Sequence, residues 1–277
     1  MMEQRDIRLV GLDLDGTVLD SNKQISARTL QTIARANAQG CLVIPATGRP
    51  LAAVPKAFLE IPGVDYAVTS NGATIVETAT GNIIQKTWLT VEQVQQVRRL
   101  VEGLYLVWDV FVEGQGYTQQ KDLDRVAQWA PKGMEGYLAK TRKPVEDMEE
   151  FIGRQVGFEK CNLFFDDEAK RSKARQLIEQ LGCYTVVSST ESNLEISAPG
   201  ADKGTALLAL GRKLGIAPQQ VMACGDSEND AAMLQAVGLS VAMGNAPESI
   251  RQLAHTVTDT NDRGGVAKAL ERYVLRL

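Results

Sequence analysis

The chain has 277 residues, 44% hydrophobic and 23% charged, a composition that excludes a disordered or fibrous protein and suffices for one large domain or two smaller ones. Its 30 basic and 34 acidic residues leave a net charge of −4, and no Lys/Arg run offers an electrostatic footprint for nucleic acid or an anionic membrane. The opening MMEQRDIRLV has no leader-like apolar region and no apolar stretch reaches about 18 residues, so a cytoplasmic protein without a membrane span is expected.

The first element, LVGLDLDGTVLD at 9–20, is an apolar strand that ends on two aspartates separated by one leucine. Side chains alternate along a strand, so Asp13 and Asp15 are expected on one face, where their repulsion calls for a shared cation or proton. Ser26 then caps a helix with Leu30, Ile33 and Ala34 on one stripe, and Gly40 ends it before the strand-like CLVIPATG. A helix from about Leu51 to Leu59, the strand DYAVTS and the turn SNGA follow, so the first 85 residues read as alternating β and α, the mark of a parallel sheet.

From Lys86 to Val187 the character changes. The helix TVEQVQQVRRLVEG and the strands LYLVWDVFVE and GQGYTQ lead into a second helix-and-strand group, in which Ala174, Leu177, Ile178 and Leu181 form a stripe before Gly182. Beyond it βα alternation resumes, with Leu207, Leu210 and Leu214 on one helix face and QVMAC and LSVAM as short strands. The expected organisation is an α/β core with a Rossmann-like parallel sheet, residues 1–85 and 188–277, interrupted by an α+β insertion, residues 86–187.

Cys41, Cys161, Cys183 and Cys224 are scattered without a C-x-x-C pair and read as reduced core residues. His255 is the single histidine and has no partner motif, which argues against Ser-His-Asp, Cys-His and multi-histidine metal chemistry. The chemistry is left to carboxylates.

Four segments each follow an expected strand: DLDGT at 13–17, ATGR at 46–49, ADKG at 201–204 and GDSEND at 225–230. An open α/β sheet binds ligands beyond the carboxyl ends of its strands, so these segments should share a crevice. Carboxylates, a hydroxyl and a lysine suit phosphoryl transfer, which needs a nucleophile, a proton donor and positive charge for the equatorial oxygens. In that scheme Asp13 attacks phosphorus and Asp15 serves as acid and then base. Thr47 and Lys203 bind the phosphoryl oxygens, Asp226 holds Mg²⁺, and Asp230 orients Lys203 or a metal-bound water.

These motifs, in this order, resemble the haloacid dehalogenase superfamily of phosphatases, and the whole chain is similar to the Cof-type branch, where a large α+β cap lies between the Thr and Lys motifs. SNGA at 70–73 and VAMGNA at 241–246 resemble further core segments of that branch. The resemblance implies a Mg²⁺-dependent phosphatase of small phosphorylated metabolites, such as a sugar phosphate or phosphorylated cofactor, acting through an aspartyl phosphate. It implies Asp13, Asp15 (through its backbone carbonyl) and Asp226 at the metal, and Thr47, Gly48, Lys203 and Asn229 around the phosphate. The inserted cap is expected to set substrate specificity, and the protein to be a monomer or a homodimer. Two rivals are a phosphomutase or phosphotransferase using the same aspartate, and a receiver-type signalling domain. The latter needs no acid beside its nucleophile and no insertion of this size.

Overall fold

Leu9–Leu12, Val221–Gly225 and Leu239–Ala242 are apolar and buried along their whole length, the pattern of strands covered on both faces of a parallel sheet. The computed structural model describes residues 6–277. It divides into one unit built from the described part of Met1–Gly48 with Val54–Gln85 and Asp202–Leu277, and a second built from Arg49–Ala53 and Lys86–Ala201.

In the first unit the strands run Thr256–Val257, Leu239–Ala242, Val221–Gly225, Leu9–Leu12, Leu42–Pro45 across the sheet, all parallel. The chain steps from Leu9–Leu12 to Leu42–Pro45 on one side and later returns to Val221–Gly225 on the other. Strand order therefore reverses at Leu9–Leu12 and Val221–Gly225, and the crevice at such a reversal lies beyond their carboxyl ends. One apolar layer packs Ile33, Val43, Phe58, Met222 and Leu270; the other packs Ile44, Ile75, Leu207, Leu210 and Met233. The helix Ala27–Ala38 is capped by Ser26, whose hydroxyl accepts from Thr29 N at 3.1 Å.

Two local expectations are corrected. The helix expected over Leu51–Leu59 is a 3₁₀ turn, Leu51–Ala53, and a separate turn of helix, Lys56–Leu59. Pro55 divides them: it lacks an N–H and disfavours helical backbone at the residue before it. Nor does βα alternation reach residue 85. Tyr66–Thr69, Thr74–Glu77 and Ile83–Lys86 form their own three-stranded sheet, the first two antiparallel, because the SNGA turn reverses the chain too sharply for a crossover helix.

The second unit carries a six-stranded sheet in the order Thr185–Val187, Asn193–Ser197, Lys160–Phe164, Val107–Val112, Gln115–Gln119, Arg142–Val145, antiparallel except for the last pair. Asn193–Ser197 pairs inside this sheet, so the insertion runs to Ala201 instead of ending at Val187. NLEIS alternates polar and apolar residues, a pattern that marks a strand but not the sheet it joins.

Two ion pairs are buried in this unit, Arg142 with Asp109 at 2.7 Å and Lys160 with Glu195. Trp129 packs on Phe164 with ring centroids 4.8 Å apart and donates to Asp122 O at 2.7 Å. Of the cysteines, Cys41, Cys161 and Cys224 are buried and Cys183 is only half-buried. No helix among the described residues is long and apolar enough to cross a membrane.

Candidate active site

Asp13 is the first residue after the strand Leu9–Leu12, and its N–H donates to Cys224 O at 3.0 Å, which fixes it beside the end of Val221–Gly225. Asp226 follows directly on that second strand. The strand reversal thus delivers both aspartates to one crevice, although more than two hundred residues separate them in sequence: Thr17, four residues beyond Asp13, donates to Asp226 Oδ1 at 2.9 Å across |i−j| = 209. Gly16, at φ +81, makes the close approach possible, because a Cβ there would stand 2.3 Å from Asp226 Oδ2.

Lys203 opens the helix Lys203–Lys213, capped by Asp202, which accepts from Thr205 N at 2.8 Å. A cation at a helix N-terminus opposes the macrodipole. Here two carboxylates offset that cost: Lys203 Nζ lies 2.6 Å from Asp13 Oδ1 and 2.7 Å from Asp230 Oδ1, and all three side chains are buried. Gly204 lets the helix seat against Ala231–Ala236, since a Cβ would meet Ala232 O at 2.6 Å.

Asp230 commits its other oxygen to the loop, Oδ2 accepting from Asp226 N at 2.9 Å and Ser227 N at 3.0 Å. Acidic oxygens of Asp13, Asp226 and Asp230 lie within 4.8 Å of one another. Asp230 has both oxygens engaged, so within this cluster Asp13 and Asp226 are the carboxylates that would hold a cation, and their hard oxygens fit Mg²⁺.

Burial is the largest cause pushing the Asp13 carboxyl well above its usual range; Lys203 opposes the shift, and Asp230 and Asp226 add to it. Asp226 is pushed up to about 7 by burial and then by Asp230. For Lys203 burial acts downward, but Asp13 and Asp230 together outweigh it and hold the ammonium charged.

Thr47 is buried behind the sheet edge, its N–H donating to Val68 O at 2.9 Å and its carbonyl accepting from Asn71 N at 3.0 Å. Gly48 runs beside Asn71 and Asn229: a Cβ at Gly48 would lie 2.8 Å from Asn71 Oδ1 and 3.4 Å from Asn229 Nδ2. Asn229 itself donates to Asn71 Oδ1 at 3.2 Å.

Asp15 departs from the sequence expectation. The strand ends at Leu12, so the alternation that would place Asp13 and Asp15 on one face has lapsed, and Asp15 lies in a turn with its carboxylate outside the three-aspartate cluster. It pairs with Lys23 at 2.9 Å. Lysines thus relieve the repulsion between the two aspartates, Lys203 at Asp13 and Lys23 at Asp15.

Sequence reasoning missed four residues. Thr17 holds Asp226, Asn71 holds Asn229, Lys23 holds Asp15, and Asn245 donates to Gly16 O at 2.8 Å. Thr17 and Asn71 were readable only as motif letters; their partners are distant in sequence. Asn71 has φ 56 while buried, a left-handed backbone that asparagine tolerates.

Buried aspartates around one lysine at a parallel-sheet switch point make the kind of site that a phosphate-ester hydrolase needs. Residues 10–270 match the haloacid dehalogenase-like hydrolase family, and the chain belongs to it; it is a phosphatase of that family. It is 28% identical to the 5-amino-6-(5-phospho-D-ribitylamino)uracil phosphatase YcsE of Bacillus subtilis over 99% of this chain and 98% of that protein. To phosphatase YwpJ of the same species it is 29% identical, over 97% of this chain and the full length of the relative. Among solved structures, a haloacid dehalogenase-like hydrolase from B. subtilis superposes with a TM-score of 0.84 at 30% identity, covering 96% of this chain and 99% of that one.

Proposed function

We propose that the protein is a Mg²⁺-dependent phosphomonoesterase of small phosphorylated metabolites that works through an aspartyl phosphate on Asp13. The observation that carries this reading is the buried Asp13–Lys203–Asp230 ion-pair chain at the strand reversal. It presents a carboxylate nucleophile beside a fixed positive charge.

In the first step an Asp13 oxygen forms a bond to phosphorus as the ester P–O bond breaks, and Asp15 gives its proton to the leaving alkoxide. In the second, water attacks phosphorus, Asp15 takes its proton, the Asp13–phosphorus bond breaks and phosphate leaves. Lys203 and Thr47 stabilise the equatorial oxygens, Gly48 and Asn229 line the phosphate position, and Asp230 holds Lys203 in place. Asp13, the Asp15 carbonyl and Asp226 would hold Mg²⁺, which supplies charge neutralisation on the phosphoryl group.

The substrate is taken to be a sugar phosphate or a phosphorylated cofactor. Relatives named for 5-amino-6-(5-phospho-D-ribitylamino)uracil support including that compound among the candidates. Selectivity is assigned to the second unit, because every proposed catalytic residue lies in the first.

The test is phosphate release from a panel of phosphorylated metabolites, with and without Mg²⁺, combined with acid quenching of a labelled substrate. A Mg²⁺-dependent burst of protein-bound phosphate that Asp13→Asn abolishes is expected. Turnover without labelled protein, or isomer formation without phosphate release, would overturn the reading.

A further inference from the structure

The turn between the first strand and the first helix is built to hold one ammonium in place. Asp20 organises it: Oδ1 accepts from Asn22 N at 2.9 Å and Gln24 N at 2.8 Å, while its backbone exchanges bonds with Gln24 O at 2.9 Å and Lys23 N at 2.9 Å. Within this turn Lys23 adopts φ 60, a left-handed backbone that a lysine occupies only at a cost. The turn is also tied to the remote end of the same unit. Ser21 N and Oγ donate to Asp262 at 2.8 and 2.7 Å, and Asn261 Nδ2 donates to Leu19 O at 2.9 Å.

The result is that Lys23 Nζ sits 2.9 Å from Asp15 Oδ1. Both side chains are solvent-exposed, so the pair adds little to stability, and stability alone does not account for a strained, cross-braced turn at this point.

We propose that Lys23 is a positioning residue for Asp15, holding the carboxylate apart from the Asp13, Asp226 and Asp230 cluster and in the orientation from which it reaches the leaving-group oxygen. This rests on the reading of Asp15 as the acid and base. Without the ammonium, Asp15 is held by fewer contacts and the carboxylate it becomes on giving up its proton loses a counter-charge, so the first step slows where the leaving group needs a proton and is nearly unaffected where it does not. Binding should be little changed, because Lys23 lies outside the set of residues proposed to hold the phosphoryl group. The pair is exposed, so salt should weaken the effect of Lys23 in the wild type.

The experiment measures kcat and KM of wild type, Lys23→Met, Lys23→Arg and Asp15→Asn on an alkyl phosphate and on 4-nitrophenyl phosphate, at low and high salt. Lys23→Met should lose about threefold to fivefold in kcat on the alkyl ester, the range an exposed ion pair allows, with less than about twofold change on the aryl ester and in either KM. Lys23→Arg should restore most of the loss. High salt should lower the wild-type alkyl-to-aryl ratio and leave that of Lys23→Met unmoved.

Equal losses on both esters in Lys23→Met, or no loss on either, would overturn the proposal while Asp15→Asn still discriminates between them. If Asp15→Asn itself loses equally on both, the acid assignment fails, whatever Lys23 does.

Discussion

Lys203 Nζ and Asp13 Oδ1 lie 2.6 Å apart in a buried ion pair that spans 190 residues of sequence. The pair joins the end of the first strand to the start of the helix Lys203–Lys213, and through Asp230 it reaches the loop after the third strand of the parallel sheet. In the proposed mechanism, catalytic placement and core stability therefore share the same atoms.

Lys203→Met should destabilise the protein by about 3–5 kcal/mol, because Asp13 and Asp230 are left buried without their counter-charge. Thermal unfolding in chelator measures this. Adding Asp230→Asn to Lys203→Met should cost less than the sum of the two single changes, since the second removes one of the charges that the first stranded. Strict additivity would show that the three groups are not coupled.

Asp13→Asn should leave the fold intact and reduce turnover by more than about a thousandfold, because the amide keeps the shape of the carboxylate but supplies no anionic nucleophile. Circular dichroism and phosphate release check the two halves of this statement. Retention of a tenth of wild-type activity would remove Asp13 from the covalent step.

Metal-free stability should fall as pH rises. Asp226 is pushed up to about 7 in the folded protein, by burial and then by Asp230, whereas an unfolded chain titrates near about 4. Between those values the folded state binds more protons than the unfolded one, so the contribution of Asp226 is present at low pH and lost as pH passes its folded value. Burial raises Asp13 in the same direction. In chelator, Asp226→Asn should therefore gain Tm relative to wild type on going from pH 5 to pH 8. Parallel curves for the two proteins would contradict the raised value.

Chelation should abolish turnover, and Mg²⁺ should restore it far better than Ca²⁺. The two carboxylates proposed to hold the cation, Asp13 and Asp226, suit an ion that takes few carboxylates in tight octahedral geometry; Ca²⁺ accepts more ligands at longer distances. Full activity in Ca²⁺ would count against this donor set. Asp226→Ala should raise the Mg²⁺ concentration needed for half-activity by more than about tenfold.

The sequence by itself determined the parallel-sheet core, the reaction class and the residues that form its ion-pair centre. Apolar strands, turn residues and DLDGT, ADKG and GDSEND are local signals, and local chemistry is what a chain displays in order. Only the tertiary structure decided what these residues bond to. That Asp15 turns out to Lys23 depends on where a strand ends; that Thr17 steadies Asp226 and Asn71 steadies Asn229 depends on which strands become neighbours. The assignment of Asn193–Ser197 to the second sheet is likewise not legible in the chain, because a short alternating strand carries its periodicity but not its partner. Side-chain pattern is encoded along the chain, whereas pairing is a property of the packed whole, in which long-range contacts offset the entropy of closing the loops between them.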